Sequence, residues 1–177
     1  MTARSSRATP ATIPSHMKMN IFFTDGATKN NGQYGKQNSY TCVTDEDGNV
    51  IFNTPIGDKT NIQAEGIAIG ECVRYIVDNQ LTPATIKADS DFWVKVITGK
   101  YNIKKPHLKP IRDRLSELLQ NQVIRFEWVP REKNKAGYYL EHKYERKWDR
   151  RKGKGKFAIT CPHCTKKMVL TINVNAS

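Results

Sequence analysis

The chain has 177 residues, with 29 Lys and Arg against 17 Asp and Glu, a formal net charge of +12 and a hydrophobic fraction of 38%. That length suits one domain of ordinary size plus an appendage, with enough chain to bury a real core, and excludes a disulfide-stapled mini-protein. No run of about 18 or more apolar residues occurs and the start, MTARSSRATPATIPSHM, lacks the apolar centre of a secretory signal, so the expectation is a cytoplasmic protein that spans no membrane.

Residues 1–18 are rich in Ala, Thr, Ser, Arg and Pro and show no periodicity; they read as a disordered tail or an artificial extension. From Asn20 the pattern becomes regular. NIFFTD (20–25) is a short apolar run ending in an acid, while SYTCVT (39–44) and NVIFNTPI (49–56) are β-branched runs joined by the turn signal DEDGN, which predicts a hairpin. Over residues 61–80, Ile62, Ile69, Val73, Ile76 and Val77 approach the spacing of an amphipathic helix, with Thr60 or Asn61 as N-cap. ATIKAD (84–89) is a fourth strand, SDFWVKVITG (90–99) a short helix, PHLKPIRDRLSELLQNQ (106–122) a long helix and VIRFEWV (123–129) a fifth strand; a final helix starts near Lys133. Strands joined first by hairpins and then by crossover helices predict an α/β fold. Its five-stranded mixed sheet has the first three strands antiparallel, the last two parallel, and flanking helices.

Carboxylates fall at informative places. Asp25 closes the first predicted strand, Asp89 closes the fourth, and Glu65 lies in the first turn of the helix after the third. If strands one and four are parallel neighbours, the three emerge at one sheet edge, where open α/β sheets hold their ligands. Carboxylates that close raise one another's pKa unless a cation neutralises them, and an oxygen-only donor set selects a hard ion such as Mg2+ or Mn2+. A turn-former or a helix-dipole partner is the competing reading for each acid.

Four motifs carry a resemblance. TDGATKNNG (24–32), TNIQAE (60–65), ADS (88–90) and WVPREKNKAG (128–137) stand in the order and approximate spacing of the ribonuclease H family, type 1, over about residues 20–143. The resemblance implies hydrolysis of the RNA strand of an RNA/DNA hybrid with two Mg2+ ions. It makes Asp25 the residue that bridges both ions, with Glu65 and Asp89 each completing one shell. It also implies that Asn31 contacts the hybrid, although the usual Asn-Pro-Gly is here Asn-Gly, and that Asn61 and Gln63 reach the minor groove, where hydroxyls distinguish RNA from DNA. Two departures stand out. The family's fourth Asp, in an Ala-Asp pair after an Asn, is replaced by Ala136-Gly137; Glu141, one helical turn on, is either its substitute or a solvated charge. The family's proton-shuttling His is replaced by Arg131-Glu132, in which Glu132 can carry protons or Arg131 can contact a phosphate. A catalytically impaired module that binds hybrid or duplex RNA, and a nuclease of the same superfamily acting on DNA, are the alternatives.

The charge is unevenly spread. Residues 20–99 hold ten acids and six bases, whereas 100–114 and 144–156 each carry +5. Lys104 and Lys105 lie in the first basic window, in a region that the resemblance places against the DNA strand. The second window, YERKWDRRKGKGK, interleaves Trp148 with bases in a linker or helix extension that can follow a phosphate backbone. Beyond it, residues 157–177 read as a β-hairpin with CPHC at its tip. Cys161 and Cys164 are spaced as half of a Zn2+ site. A second chain in a homodimer, His163 or His142 would complete it, unless it is a remnant that nothing completes. Cys42 and Cys72 fall within predicted elements and read as buried small apolar residues.

Overall fold

The computed structural model describes residues 19–29, 31, 35 and 38–143, together with strand segments 147–149, 154–160 and 167–173. The chain divides into two compact units, Met1–Leu140 and Glu141–Ser177.

The first unit is built on five strands, β1 (Asn20–Lys29), β2 (Asn38–Asp45), β3 (Val50–Gly57), β4 (Ala84–Ala88) and β5 (Ile124–Trp128). They lie in the order β3-β2-β1-β4-β5. The β1–β2 and β2–β3 pairs are antiparallel and the β1–β4 and β4–β5 pairs parallel, as the order of hairpins and crossovers predicts. Pro55 is tolerated because β3 is an edge strand, where a missing N–H breaks no ladder.

β1 carries consecutive apolar residues because both faces of the sheet are covered, and successive side chains alternate between them. Phe22 joins the larger core, with Val43, Ile69, Val73, Ile76, Ile86 and Trp93, under α1 (Asn61–Asp78), α2 (Asp91–Ile97) and α3 (Lys109–Leu118). Phe23 joins a smaller core on the opposite face, with Cys42, Ala136 and Leu140 of α4 (Lys135–Lys143). Cys42 and Cys72 are fully buried, in keeping with their apolar reading.

Four sequence expectations need correction. β1 continues to Lys29, so Asp25 lies within the strand; what ends beside it is the parallel pairing, whose last partners are Thr24 and Ala88, while pairing with β2 continues to Lys29 and Asn38. Residues 106–122 are not one helix. A 3-10 turn, Pro106–Leu108, precedes α3 because Pro110 cannot donate to a preceding turn, and Asn121, at φ 60°, lies in the left-handed region beyond the helix end. Glu65, expected in the first turn of α1, is the fifth residue of that helix, whose first turn carries no acid; the last helix starts at Lys135, close to the expected Lys133, after a 3-10 turn at Arg131–Lys133. Finally, Ile62 is 37% exposed, because the inner face of the first turns of α1 is formed by Ala64, Gly66 and Ala68.

In the second unit β6 (Lys147–Asp149), β7 (Lys154–Thr160) and β8 (Lys167–Asn173) form an antiparallel three-stranded sheet in that order.

Candidate active site

Strand register supplies the first part of the site. Thr24 of β1 pairs with Ala88 of β4, so Asp25 and Asp89 are the next residues along two parallel neighbours. Asp25 shares the face of Phe23, towards α4. Glu65 comes from α1, which approaches the sheet closely. A Cβ on Gly26 would collide with the backbone of Ala64 and Glu65, so the glycine is what lets the first turn of α1 lie against β1. Thr60 starts that helix with a reciprocal cap: its hydroxyl accepts from Gln63 N–H, and Gln63 Oε1 accepts from Thr60 N–H at 3.0 Å.

The three carboxylates differ in what holds them. Asp89 Oδ1 accepts from Asn134 Nδ2 at 2.9 Å, and its Oδ2 pairs with the Arg131 guanidinium at 3.3 Å. Glu65 Oε2 accepts from Ser90 Oγ at 2.6 Å and Oε1 from Asn61 Nδ2 at 2.9 Å. Asp25 is only 3% exposed, and its Oδ2 is buried without a hydrogen-bond partner. Burial, then the Asp89 carboxylate, push the Asp25 carboxyl up to about 7; Glu65 adds to the rise, and Arg131 and the Gly26 N–H oppose it. Glu65 is raised too, by burial first, with the Ser90 hydrogen bond opposing and Asp89 adding. The acids therefore face one another closely enough to interact through charge. They do not stand as a ready cage, and among the described residues no group of three or more His, Cys, Asp or Glu is already arranged to hold a metal. Glu65 and Asp89 are turned towards their hydrogen-bond donors instead.

Two residues that sequence reading did not single out tie the site together. Asn134 is fully buried; its Nδ2 donates to Thr24 O at 3.0 Å as well as to Asp89, and its Oδ1 accepts from Ala136 N at 3.2 Å. One amide thus joins β1, the end of β4 and the start of α4. Ser90 is its counterpart for Glu65. The signals were present, an Asn just before a helix and a Ser after the strand-end acid, but neither spacing says which carboxylate the side chain meets. Trp128 adds an indole N–H to Asp89 O at 3.1 Å and remains 52% exposed.

The other predicted residues are placed as follows. Asn31 accepts from the Asn61 N–H at 3.3 Å, so these two residues stand together. Gln63 is engaged through Oε1 in the cap. Lys104 and Lys105 are exposed on the connection between α2 and α3, near Tyr101. Arg131 and Glu132 are exposed on the 3-10 turn before α4. Gly137 occupies the site itself: a Cβ built there would lie 3.2 Å from Asp25 Oδ2. Glu141 is exposed on α4, at the start of the second unit. Cys161, Cys164 and the Trp148 side chain lie outside the described residues.

Residues 23–143 match the sequence model of a family described as reverse transcriptase-like. No curated protein matches the chain at a significant level. Among solved structures, RNase H1 from the halophilic archaeon Halobacterium salinarum NRC-1 is 26% identical over 70% of this chain and 94% of its own, with a TM-score of 0.57. The N-terminal RNase H domain of rv2228c from Mycobacterium tuberculosis is 25% identical over 70% of this chain and 95% of its own, with a TM-score of 0.58. LC11-RNase H1, solved in complex with an RNA/DNA hybrid, is 28% identical over 65% of this chain and 88% of its own, with a TM-score of 0.52.

Proposed function

The chain belongs to the reverse transcriptase-like family and has an RNase H-like fold, and from that premise we propose that it is a nuclease that hydrolyses the RNA strand of RNA/DNA hybrids with divalent cations. The observation that carries this reading is the buried, unpartnered Oδ2 of Asp25 beside two further carboxylates. An orphaned acid oxygen in an all-oxygen cluster is costly for the protein by itself and is relieved by a hard cation, so these residues fit Mg2+ or Mn2+. When bound, such an ion lowers the pKa of an attacking water and stabilises charge developing on the phosphate.

The chain's own groups divide the remaining work. Asp25, Glu65 and Asp89 supply the negative field. Asn134 and Ser90 keep two of these carboxylates in place. Asn31 and Asn61 stand at the start of α1, suited to sugar hydroxyls in a minor groove, and Lys104 and Lys105 neutralise backbone phosphates. Glu132 is the proposed proton carrier and Glu141 the proposed substitute for the family's fourth acid. Trp148 and Cys161/Cys164 extend the proposal to a nucleic-acid-binding tail with a zinc hairpin.

Gly137 favours a second reading, a hybrid-binding module with impaired catalysis, because it offers no carboxylate where the chain meets Asp25. Labelled hybrid, duplex DNA, duplex RNA and single strands incubated in Mg2+, Mn2+ or EDTA separate the two. Cleavage of hybrid RNA that requires the metal and is lost in Asp25→Asn supports the nuclease. Binding without cleavage supports the module, and metal-independent cleavage removes the mechanism.

A further inference from the structure

We propose that β5 is a self-complementary edge on which a second copy of this chain docks, joining two five-stranded sheets through antiparallel β5 strands. β3 and β5 are the edges of the sheet. β3 is guarded by Pro55 and by two irregularities in its register with β2, whereas β5 has neither a proline nor a shift in register. The hydrogen bonds to β4 show which groups β5 presents. Ala84 N donates to Val123 O at 3.1 Å and Val129 N to Ala88 O at 3.0 Å, and the N–H and C=O of one strand residue point to the same side, so residues 123, 125, 127 and 129 face β4. The N–H and C=O of Ile124, Phe126 and Trp128 therefore point outward, and among the described residues no hydrogen bond reaches them.

Charge selects both the occupant and the register. Arg125 and Glu127 are exposed, two residues apart on one face of the strand. An edge of one sign would repel its own copies; this one carries both signs. With Phe126 opposite Phe126 of a second copy, the outward groups close about six hydrogen bonds, and Arg125 of each chain meets Glu127 of the other in a non-hydrogen-bonded pair, where side chains approach most closely. The neighbouring registers fail, because centring on Arg125 sets Arg against Arg and centring on Glu127 sets Glu against Glu. Glu127 already lies 3.6 Å from Lys87 of β4, so signs alternate across the seam from Lys87 to Glu127 to the partner's Arg125. On the other face Ile124 meets the partner's Trp128, a residue 52% exposed in the single chain. A cleft of about 440 Å3 beside that face, lined in part by Ile97, Leu119, Ile124 and Phe126, leaves room for the indole. The arrangement is isologous, each copy offering the same patch, and its small seam makes a weak, concentration-dependent dimer.

The test is sedimentation of the full chain over a range of concentrations. The parent should pass from monomer to dimer as concentration rises. Arg125→Glu alone and Glu127→Arg alone should each raise the dimer dissociation constant about tenfold or more, since each reversal turns both cross-strand pairs into like charges. Mixed in equal amounts, the two variants should form a heterodimer, because every pair across the seam is then of opposite sign. Circular dichroism of both variants checks that these exposed substitutions leave the fold intact. A parent that stays monomeric at every concentration overturns the proposal. A dimer that survives both single reversals is held by another surface and also overturns it, and two folded variants that remain monomeric when mixed rule out this register.

Discussion

Replacing Asp25 by Asn should stabilise the metal-free protein, and the size of the gain should depend on pH. The Asp25 carboxyl titrates near 3.8 in the unfolded chain and at about 7 in the folded one. Between those values the folded state holds a proton that the unfolded chain has released, so each pH unit costs about 1.4 kcal/mol of stability. The penalty is absent well below pH 3.8, grows through that window and is complete above about pH 7, where it reaches ~4 kcal/mol. Asn carries no charge but places an amide donor where Oδ2 lacks a partner, at a cost of about 1 kcal/mol. In EDTA, chemical denaturation should therefore find Asp25→Asn about as stable as the parent at pH 5 and about 3 kcal/mol more stable at pH 8. Mg2+ should narrow the gap at pH 8 by stabilising the parent alone, through binding to the native state. A difference that stays constant from pH 5 to pH 8, or a variant less stable than the parent at pH 8, would refute the claim that this carboxyl is buried against its neighbours' charge.

Three further outcomes follow from particular contacts. Asn134→Ala removes the amide that donates to Thr24 O and Asp89 Oδ1 and should lower stability by about 2 kcal/mol; hybrid cleavage should fall at least about tenfold through kcat, with KM little changed, as steady-state kinetics would show. Gly66→Ala puts a methyl into the indole ring of Trp93 and should cost about 1 to 3 kcal/mol in a denaturant midpoint measurement. Lys104→Ala with Lys105→Ala should weaken hybrid binding at low salt and make the slope of log affinity against log salt shallower by about 1.5 to 2, provided both lysines meet phosphates; an unchanged slope removes them from the interface.

Much of the fold was legible in the chain because it is encoded locally. Apolar runs of strand length, the DEDGN turn, the Thr60 cap and the alternation of hairpin and crossover connections each act over a few residues, and together they leave few topologies for a five-stranded mixed sheet. Local logic also marked Asp25, Glu65 and Asp89, since strand ends and helix starts are where such sheets bring carboxylates together, although β1 runs on past Asp25 and Glu65 lies beyond the first turn of α1. Packing between distant segments decided the rest. That Asn134 joins β1, β4 and α4, that Ser90 holds Glu65, that Arg131 sits on Asp89, that Gly26 lets α1 approach and that Ile62 faces outward all depend on which surfaces meet across gaps of 25 to 110 residues. Sequence spacing carries no record of those distances. The protonation of Asp25 belongs to the same class: an aspartate has its ordinary pKa in the extended chain, and only the enclosure of its oxygen beneath Gly137 and beside two other acids raises it.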